Sequence, residues 1–372
     1  MFFWMRLKAF FLRNIVLNIA ILAALITMIL VPPDAAYGQY FDWKTLSCLF
    51  CISAVVSALK NIQFFYALAC QIVRRFSTMR SCVIALVCIT FIGSMFLAND
   101  MALLTFLPLG FFVLKSTGKD RYMAFTFIMQ NIAANLGGML TPFGNPQNLY
   151  LYSFFHIPDG EFLSIMALPF VIAILLILGC CMIVVKPEPL SFSSEPIAID
   201  RKKSVIYGIL FVLSIAVIFR GVPYVIGLIT IPIVLWFTDR KALRMVDYPL
   251  LFTFIAFFVF AGNLSRIPVV YEHLSQWLNA DPLTISALSC QLISNVPSAV
   301  LLSGFTQNYR SLLVGVNIGG LGTLISSLAS LITYREYTKH NPDKKGYYIR
   351  LFSAYNFGYL IFLLVVCHFL GY

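Results

Sequence analysis

The sequence has 372 residues, of which 60% are hydrophobic and 11% are charged. A soluble globular domain carries about 25% charged residues, so this composition excludes a soluble protein and makes lipid the surrounding solvent. The net charge is +11, but the basic residues cluster in short loops between apolar runs. That distribution follows the positive-inside rule of membrane proteins, which argues against a nucleic-acid partner.

The apolar runs predict nine crossings of the membrane. The first follows a basic flank of Arg6, Lys8 and Arg13. We interpret it as an uncleaved span and not as a cleavable signal peptide, because the run is long and the flank serves as a topology signal. In chain order the predicted spans are 14–31, 42–58, 121–153, 162–186, 204–220, 222–237, 247–262, 310–334 and 350–370.

Two further apolar regions, 80–115 and 283–305, carry polar residues at their centres, and we interpret them as re-entrant hairpins. Two amphipathic stretches, 62–79 and 267–279, precede these hairpins and are predicted to lie at the membrane interface. In this topology 22 of the 26 lysines and arginines fall in cytoplasmic segments. We therefore predict a multi-pass protein of the inner (plasma) membrane with a cytoplasmic N-terminus and an external C-terminus.

Three sequence blocks recur in the same order, which predicts an internal repeat. The matched blocks are 42–60 with 247–265, 97–101 with 293–297, and 134–141 with 316–323. The offsets of 205, 196 and 182 residues shrink along the chain, as a few loop deletions would produce.

The predicted topology makes the repeat inverted, because the helix after Asp42 runs inward and its counterpart after Asp247 runs outward. The predicted parts are a first repeat at 1–186, a cytoplasmic linker at 187–203 and a second repeat at 204–372. The expected fold class is an all-α polytopic membrane protein with two inverted repeats, two re-entrant hairpins and two broken helices. This architecture is typical of secondary transporters, whose binding site lies where the interruptions meet.

Four polar interruptions, 98–100, 135–148, 294–298 and 317–323, lie at predicted mid-membrane depth, where broken backbone survives only against protein or a wet cavity. Freed carbonyls with amide and hydroxyl oxygens suit a small cation, and exposed helix N-termini suit an anion. Helix packing through small residues explains the glycine pairs but not the prolines and amides of 135–148. The candidate side chains are Asn99, Asp100, Asn135, Thr141, Asn145, Asn148, Ser294, Asn295, Asn317 and Thr323.

Asp100 is the only acidic residue predicted to lie deep in the membrane. A mid-membrane carboxylate costs about 3 kcal/mol, so such a residue is a functional candidate by default, either as a sodium ligand or as a proton carrier. A helix N-cap on the returning arm of the hairpin is the structural alternative, and both roles are compatible. Val296 occupies the aligned position in the second hairpin. A transport step that depends on the carboxyl group would therefore involve the first hairpin and not the second.

These motifs resemble those of the ion-transporter superfamily, which includes arsenite permeases, a class of sodium/proton antiporters, and citrate and dicarboxylate symporters. The resemblance rests on 98–100 with Pro108, on 137–148 and on 294–297, and covers most of the chain. The pattern is most similar to small bacterial permeases of the arsenite-permease and citrate-transporter-like branch. It implies a scaffold, a mobile part that carries both hairpins, elevator-like alternating access and, as in several members, a homodimer.

The resemblance also implies two cation sites. The first, a sodium site, falls on Asn99, Asp100, Asn135, Gly137 and Thr141, and the second falls on Ser294, Asn295, Asn317 and Gly319. Dicarboxylate symporters of the family carry Ser-Asn-Thr at both hairpin tips. This chain has Asn-Asp-Met at 99–101 and Ser-Asn-Val at 294–296, a departure that argues against a dicarboxylate substrate and a second sodium ion.

Several functions remain open at this point. They are a sodium- or proton-coupled transporter of a small anionic solute, a sodium/proton antiporter without an organic substrate, and an anion channel. We predict no enzyme, because HExxH, GxSxG and P-loop motifs are absent from the sequence and no histidine is expected to pair with Asp100. We expect no cofactor apart from a coupling sodium ion, and the partners are the lipid bilayer and a small anion or cation.

Overall fold

The computed structural model describes residues 14–190 and 199–372, and every regular element in those residues is helical. The predicted class, an all-α polytopic membrane protein, is confirmed. The first nine helices are α1 (Ile15–Leu30), α2 (Trp43–Asn61), α3 (Phe64–Val73), α4 (Met79–Leu97), α5 (Asn99–Ser116), α6 (Met123–Gly137), α7 (Pro146–Phe154), α8 (Asp159–Val184) and α9 (Arg201–Ile218). The remaining nine are α10 (Tyr224–Thr238), α11 (Arg240–Arg244), α12 (Tyr248–Ser265), α13 (Pro268–Ala280), α14 (Pro282–Ile293), α15 (Asn295–Leu302), α16 (Tyr309–Ile318), α17 (Leu328–His340) and α18 (Lys345–Phe369).

Five of the described helical segments are long and apolar enough to cross a bilayer. They are Trp43–Asn61, Met79–Leu97, Asp159–Val184, Tyr248–Ser265 and Pro342–Phe369. Shorter apolar helices such as Tyr224–Thr238 supply further hydrophobic length. One of the five, Met79–Leu97, is the first arm of the hairpin predicted at 80–115. The length of this helix fits a full crossing of the membrane as well as a re-entrant arm. The re-entrant hairpin therefore stays a prediction.

Aspartates begin several of these helices, which explains the local boundaries. Asp42 accepts the N–H of Thr45 at 2.9 Å ahead of α2, and Asp247 accepts the N–H of Leu250 at 3.0 Å ahead of α12. Asp281 does the same for α14. A side-chain oxygen at the N-cap satisfies a backbone donor that has no partner inside the helix, so an Asp before an apolar run marks its start.

Contacts at both ends of α12 fix the directions of its neighbours. Near its C-terminus, Asn263 donates to Thr27 at 3.3 Å and accepts from the hydroxyl of Tyr40 at 3.2 Å. Just before its N-terminus, the Met245 carbonyl accepts from Ser57 at 3.3 Å. Helix α1 therefore runs parallel to α12, whereas α2 runs antiparallel to it.

The broken helices form the centre of the molecule. Every residue of α6 is buried, and so is α16 from Ser311 to Ile318. A helix that is buried all round belongs to the core, and here it also carries asparagines. Each broken helix packs against a hairpin at a glycine. A Cβ on Gly137 would lie 2.1 Å from the Phe91 carbonyl oxygen, and one on Gly319 would lie 2.8 Å from Ala287 Cα.

Most predicted boundaries differ from the observed ones by a few residues. The hairpins consist of α4 with α5 and of α14 with α15, and the stretch predicted at 62–79 contains a helix only over Phe64–Val73. The span predicted at 310–334 is broken and continues to His340. The basic flank before α1 and residues 191–198 of the predicted linker lie outside the described residues.

Candidate transport site

The two hairpin tips have the same backbone conformation. Ala98 has φ 61° and ψ 153°, and Ser294 has φ 75° and ψ 157°, a positive-φ region that is costly for residues other than glycine. The next residue at each tip is an asparagine, the first residue of the following helix, whose side-chain oxygen accepts the N–H of the residue after it. Asn99 accepts the N–H of Asp100 at 2.9 Å, and Asn295 accepts the N–H of Val296 at 2.9 Å. Each asparagine thereby offsets part of the cost of its tip.

The second halves of the two broken helices also begin alike. Asn145 precedes α7 with φ −143° and ψ 146°, and Ser327 precedes α17 with φ −149° and ψ 144°. The 182-residue offset between the repeats relates these two positions. Both are extended residues at which the chain turns back into a helix after the interruption.

Four helix N-termini meet at one cavity of about 210 Å³. Its lining includes the starts of α5, α7, α15 and α17 at Asn99, Pro146, Asn295 and Leu328. Each N-terminus carries partial positive charge from its helix dipole, which attracts an anion without a lysine or arginine. Asp100 and Ser294 also line this cavity, so it contains both hairpin tips.

A cluster of buried amides lies behind the cavity. Asn99 Nδ2 donates to Asn135 Oδ1 at 3.1 Å and to Ser327 Oγ at 3.4 Å. Asn317 Nδ2 donates to Asn148 Oδ1 at 2.6 Å, while Asn317 Oδ1 accepts from Asn145 at 3.4 Å. These bonds join the first hairpin tip to both broken helices.

Three polar oxygens in this region are buried without a hydrogen-bond donor from the described residues. They are Asp100 Oδ1, Asn145 Oδ1 and Gln147 Oε1. Leaving a buried acceptor unsatisfied costs about 1–3 kcal/mol, so such atoms are rare unless something else binds them. Together they supply oxygen ligands of the hard type that small cations prefer. The described residues contain no cluster of three His, Cys, Asp or Glu side chains, the usual pattern of a transition-metal site.

Four of the predicted site residues join the broken helices to the hairpins and are absent from the cavity lining. Thr141 Oγ1 donates to the Met95 carbonyl at 3.0 Å, and Thr323 Oγ1 donates to the Gln291 carbonyl at 3.3 Å. Gly137 and Gly319 allow the close packing described above. Asn148 donates to three carbonyls of the first interruption, and it thereby holds the shape of that interruption.

The structure adds residues to the predicted site. Ser327 follows the fourth interruption in the sequence, where back-bonding within a helix was an equal alternative, and the structure shows that its Oγ accepts from Asn99. Asp247 and Arg335 line the cavity. Arg335 was expected in a loop, but α17 continues through it to His340 and brings it to the cavity wall. The sequence marks Asp247 as the start of the matched block 247–265, and no sequence spacing indicates that it lies near Asp100.

Comparison with known proteins gives consistent results. The citrate transporter family model (CitMHS) matches residues 1–309. The uncharacterized transporter MJ0456 of Methanocaldococcus jannaschii is 32% identical over 298 residues, which cover 79% of this chain and 81% of that protein. The inner membrane protein YbiR of Escherichia coli K12 is 29% identical over 311 residues, which cover 79% of this chain and 80% of that protein.

Proposed function

The chain belongs to the citrate transporter family, and from this premise we propose that it is a secondary active transporter of a small anionic solute. Transport is coupled to sodium or protons and takes place across the inner membrane. The observation that carries the proposal is the meeting of four helix N-termini and a buried amide cluster at one cavity that contains Asp100. The inner-membrane assignment is supported by the name of the Escherichia coli relative, the inner membrane protein YbiR.

The proposed anionic solute rests on the positive groups around the cavity, and the proposed coupling cation offsets the negative charge of Asp100, which lines the cavity together with Asp247. The N-termini at Asn99, Pro146, Asn295 and Leu328 contribute partial positive charge from fixed backbone dipoles. Arg335 adds a full positive charge to the lining. Citrate is the substrate in the family's description, but backbone dipoles accept many carboxylates and oxyanions, so the proposal covers this wider class.

The coupling cation is proposed to bind on the first hairpin, beside Asn99, Asp100 and Asn135. Asp100 supplies negative charge, and its Oδ1 has no donor among the described residues. Asn135 supplies an amide oxygen that Asn99 holds in place. The oxygen ligands suit sodium, and the carboxylate alone would suit a proton. A second cation position is proposed beside Ser294, Asn295 and Asn317, where Val296 replaces the acid.

We further propose that the two halves are inverted repeats and that the transporter works as a dimer with elevator-like alternating access. The opposite directions of α2 and α12, together with the matching hairpin tips, support the inversion. The cavity is bounded by Asn14, Asp247 and Arg335, all at ends predicted to be cytoplasmic. The structure therefore corresponds to an inward-facing state in this scheme.

A sodium/proton antiporter without an organic substrate is the alternative, and one observation favours it. Asp100 and Asp247 both line the main cavity and also a neighbouring cavity of about 70 Å³. Two carboxylates along one path from the predicted cytoplasmic side offer exchange sites for protons and sodium. Arg335 and the helix N-termini have no evident use in that scheme.

Liposomes that contain a pH dye separate these functions. A sodium gradient is imposed first without a solute and then with citrate, other carboxylates or oxyanions, with Asp100→Asn tested in parallel. We expect sodium- or proton-driven uptake only when a suitable anion is present, and we expect loss of that uptake in Asp100→Asn.

Sodium-driven proton movement without any solute would overturn the symport proposal in favour of the antiporter. Anion flux that neither gradient drives would identify a channel. Wild-type behaviour of Asp100→Asn would remove Asp100 from ion coupling. The N-cap role considered from the sequence is not available to it, because Ala98 is the N-cap of α5 and Asp100 lies in the first turn.

A further inference from the structure

A second, larger cavity of about 370 Å³ lies apart from the transport site, between α3, α4 and α9. Its lining is apolar apart from Ser204, and it includes Phe65, Ile92 and Phe211. Several of its residues, among them Leu68 and Ile92, have exposed side chains and face the surroundings of the helix bundle. In a membrane these surroundings are lipid, so an acyl chain is the material that fills such a space.

Two lysines lie next in the sequence to lining residues, at the end predicted to be cytoplasmic. Lys60 follows the lining residue Leu59, and Lys203 precedes the lining residue Ser204. Lys60 also lines an adjoining cavity of about 190 Å³, and Phe65 lines both cavities. Neither lysine forms an ion pair with a described residue, whereas Lys115, Lys119 and Lys339 all do.

We propose that this cavity is the binding site of an anionic phospholipid. One acyl chain occupies the apolar cavity, and the phosphate lies between Lys60 and Lys203. Basic pockets between membrane helices on the cytoplasmic side bind anionic lipid headgroups by this combination of charge and apolar surface. A zwitterionic lipid fits the apolar part equally well but gains less from the two lysines.

The position of the cavity gives the lipid contacts with both halves of the chain. Phe96 on the first hairpin and Phe211 on α9 both line it and contact each other, with ring centroids 6.3 Å apart. An acyl chain in the cavity packs beside this ring pair, and so against the hairpin arm and α9 together. If the hairpin moves as proposed above, this lipid lies at the moving boundary, although binding itself does not depend on the transport proposal.

Gly208 makes the site testable. It lines the cavity on the same face of α9 as Ser204 and Phe211, and a Cβ added to it would meet no atom within 4 Å. Gly208→Phe therefore has room for its Cβ and directs its ring toward the cavity. Gly208→Ala is the matched control, since it keeps the space almost unchanged and favours the helix.

The experiment is native mass spectrometry of the purified protein after equilibration with equal amounts of dioleoyl phosphatidylglycerol and dioleoyl phosphatidylcholine. We expect wild type and Gly208→Ala to retain phosphatidylglycerol preferentially, and Gly208→Phe to lose that bound lipid. Lys60→Gln and Lys203→Gln should each lower the preference for phosphatidylglycerol about fivefold, the size expected for one basic group beside an anionic headgroup.

Equal retention of phosphatidylglycerol by wild type and Gly208→Phe would overturn the proposal. Conversion of a dimer to monomers by Gly208→Phe, with lipid retention unchanged, would also overturn it and assign the cavity to a second copy of the chain. The two lysine variants alter only side chains at the border of the cavity. They decide the matter if Gly208→Phe fails to fold, because an unchanged lipid preference in both would contradict the site.

Discussion

The two hairpin tips share a backbone but differ in chemistry. Ala98 and Ser294 adopt nearly the same dihedral angles, and Asn99 and Asn295 each accept the next backbone N–H at the same distance. The following residue is Asp100 at the first tip and Val296 at the second. The two tips therefore share a backbone shape, while the first carries a carboxylate and the second does not.

The same contrast continues in the broken helices. The N-cap of the second half is Asn145 in one repeat and Ser327 in the other, and both take the same extended conformation. Three residues later, Asn148 holds the first interruption by its amide, whereas Ser330 occupies the aligned position in the second. Backbone geometry determines where the helix N-termini lie, and the side chains differ between the two sides, which is why we propose cation coupling at the first.

The largest expected effect comes from making the first tip resemble the second. Asp100→Val should reduce cation-driven uptake in liposomes to the level of protein-free vesicles, because the carboxylate proposed to bind the cation is gone. Val296→Ala is the matched control at the other tip and should retain uptake. Full coupling in Asp100→Val, or loss of coupling in Val296→Ala, would contradict the proposed asymmetry.

The next effect concerns packing of the broken helices on the hairpins. Gly137→Ala should destabilise the protein by about 3 kcal/mol, because its Cβ would overlap the backbone of Phe91. Gly319→Ala should cost less, since its nearest contacts are 2.8 Å away.

Thermal unfolding in detergent measures both glycine variants. Gly179→Ala serves as the control, because a Cβ at that position meets no atom within 4 Å. The control should match or exceed the stability of wild type, since alanine favours a helix interior. Equal stability of Gly137→Ala and Gly179→Ala would mean that the close packing is not needed.

A smaller effect is expected where the threonines tie each broken helix to its hairpin. Thr141→Val and Thr323→Val both keep the side-chain volume. Thr141→Val removes the hydrogen bond to the Met95 carbonyl, at a cost of about 1 kcal/mol. Thr323→Val should cost more, because Thr323 Oγ1 donates to the Gln291 carbonyl and also accepts from the N–H of Ser326 at 3.2 Å. An equal or smaller loss in Thr323→Val, measured by thermal unfolding, would contradict this order.

The smallest effect is expected from two ion pairs that lie outside the membrane-spanning helices, Glu188 with Lys119 and Asp34 with Arg266. The Lys119 ammonium beside Glu188 holds the pKa of that carboxyl below its ordinary value of 4.5, and the Arg266 guanidinium lowers the pKa of Asp34 from 3.8. A carboxyl with a lowered pKa stabilises the folded state above its ordinary pKa, and that contribution is lost as the pH falls through the folded-state pKa. Thermal unfolding should therefore show slightly lower stability at pH 4 than at pH 7.

Single variants separate these two ion pairs. Glu188→Gln and Asp34→Asn should each reduce the loss of stability between pH 7 and pH 4, and high salt should weaken the effect in wild type. Glu188 accepts from Lys119 at 2.7 Å and contacts Arg121, close to the base of the first hairpin, whereas Asp34 pairs with Arg266 at the end of α12. An unchanged pH dependence in both variants would assign it to other groups.

The amino-acid sequence by itself determined the class of the fold and the position of its interruptions. An apolar run must form a helix in lipid because the backbone has no other hydrogen-bond partner there, so composition and breaks predict elements directly. The hairpin tips at 98–100 and 294–296 and the breaks at 135–148 and 317–323 were all predicted this way. Helix ends were less predictable, as the extension of α17 past Arg335 illustrates, because a polar residue can continue a helix when it faces a cavity.

Only the tertiary structure decided which polar residues face the cavity. Sequence spacing treated Thr141, Asn148 and Gly137 like Asn99, since all lie in or near a broken segment. Packing separates them, because the first three hold the broken backbone together while Asn99 and Asp100 reach the cavity. Asp247 and Ser327 join the site from distant parts of the chain, and contacts of that kind depend on how helices cross, which local periodicity does not encode.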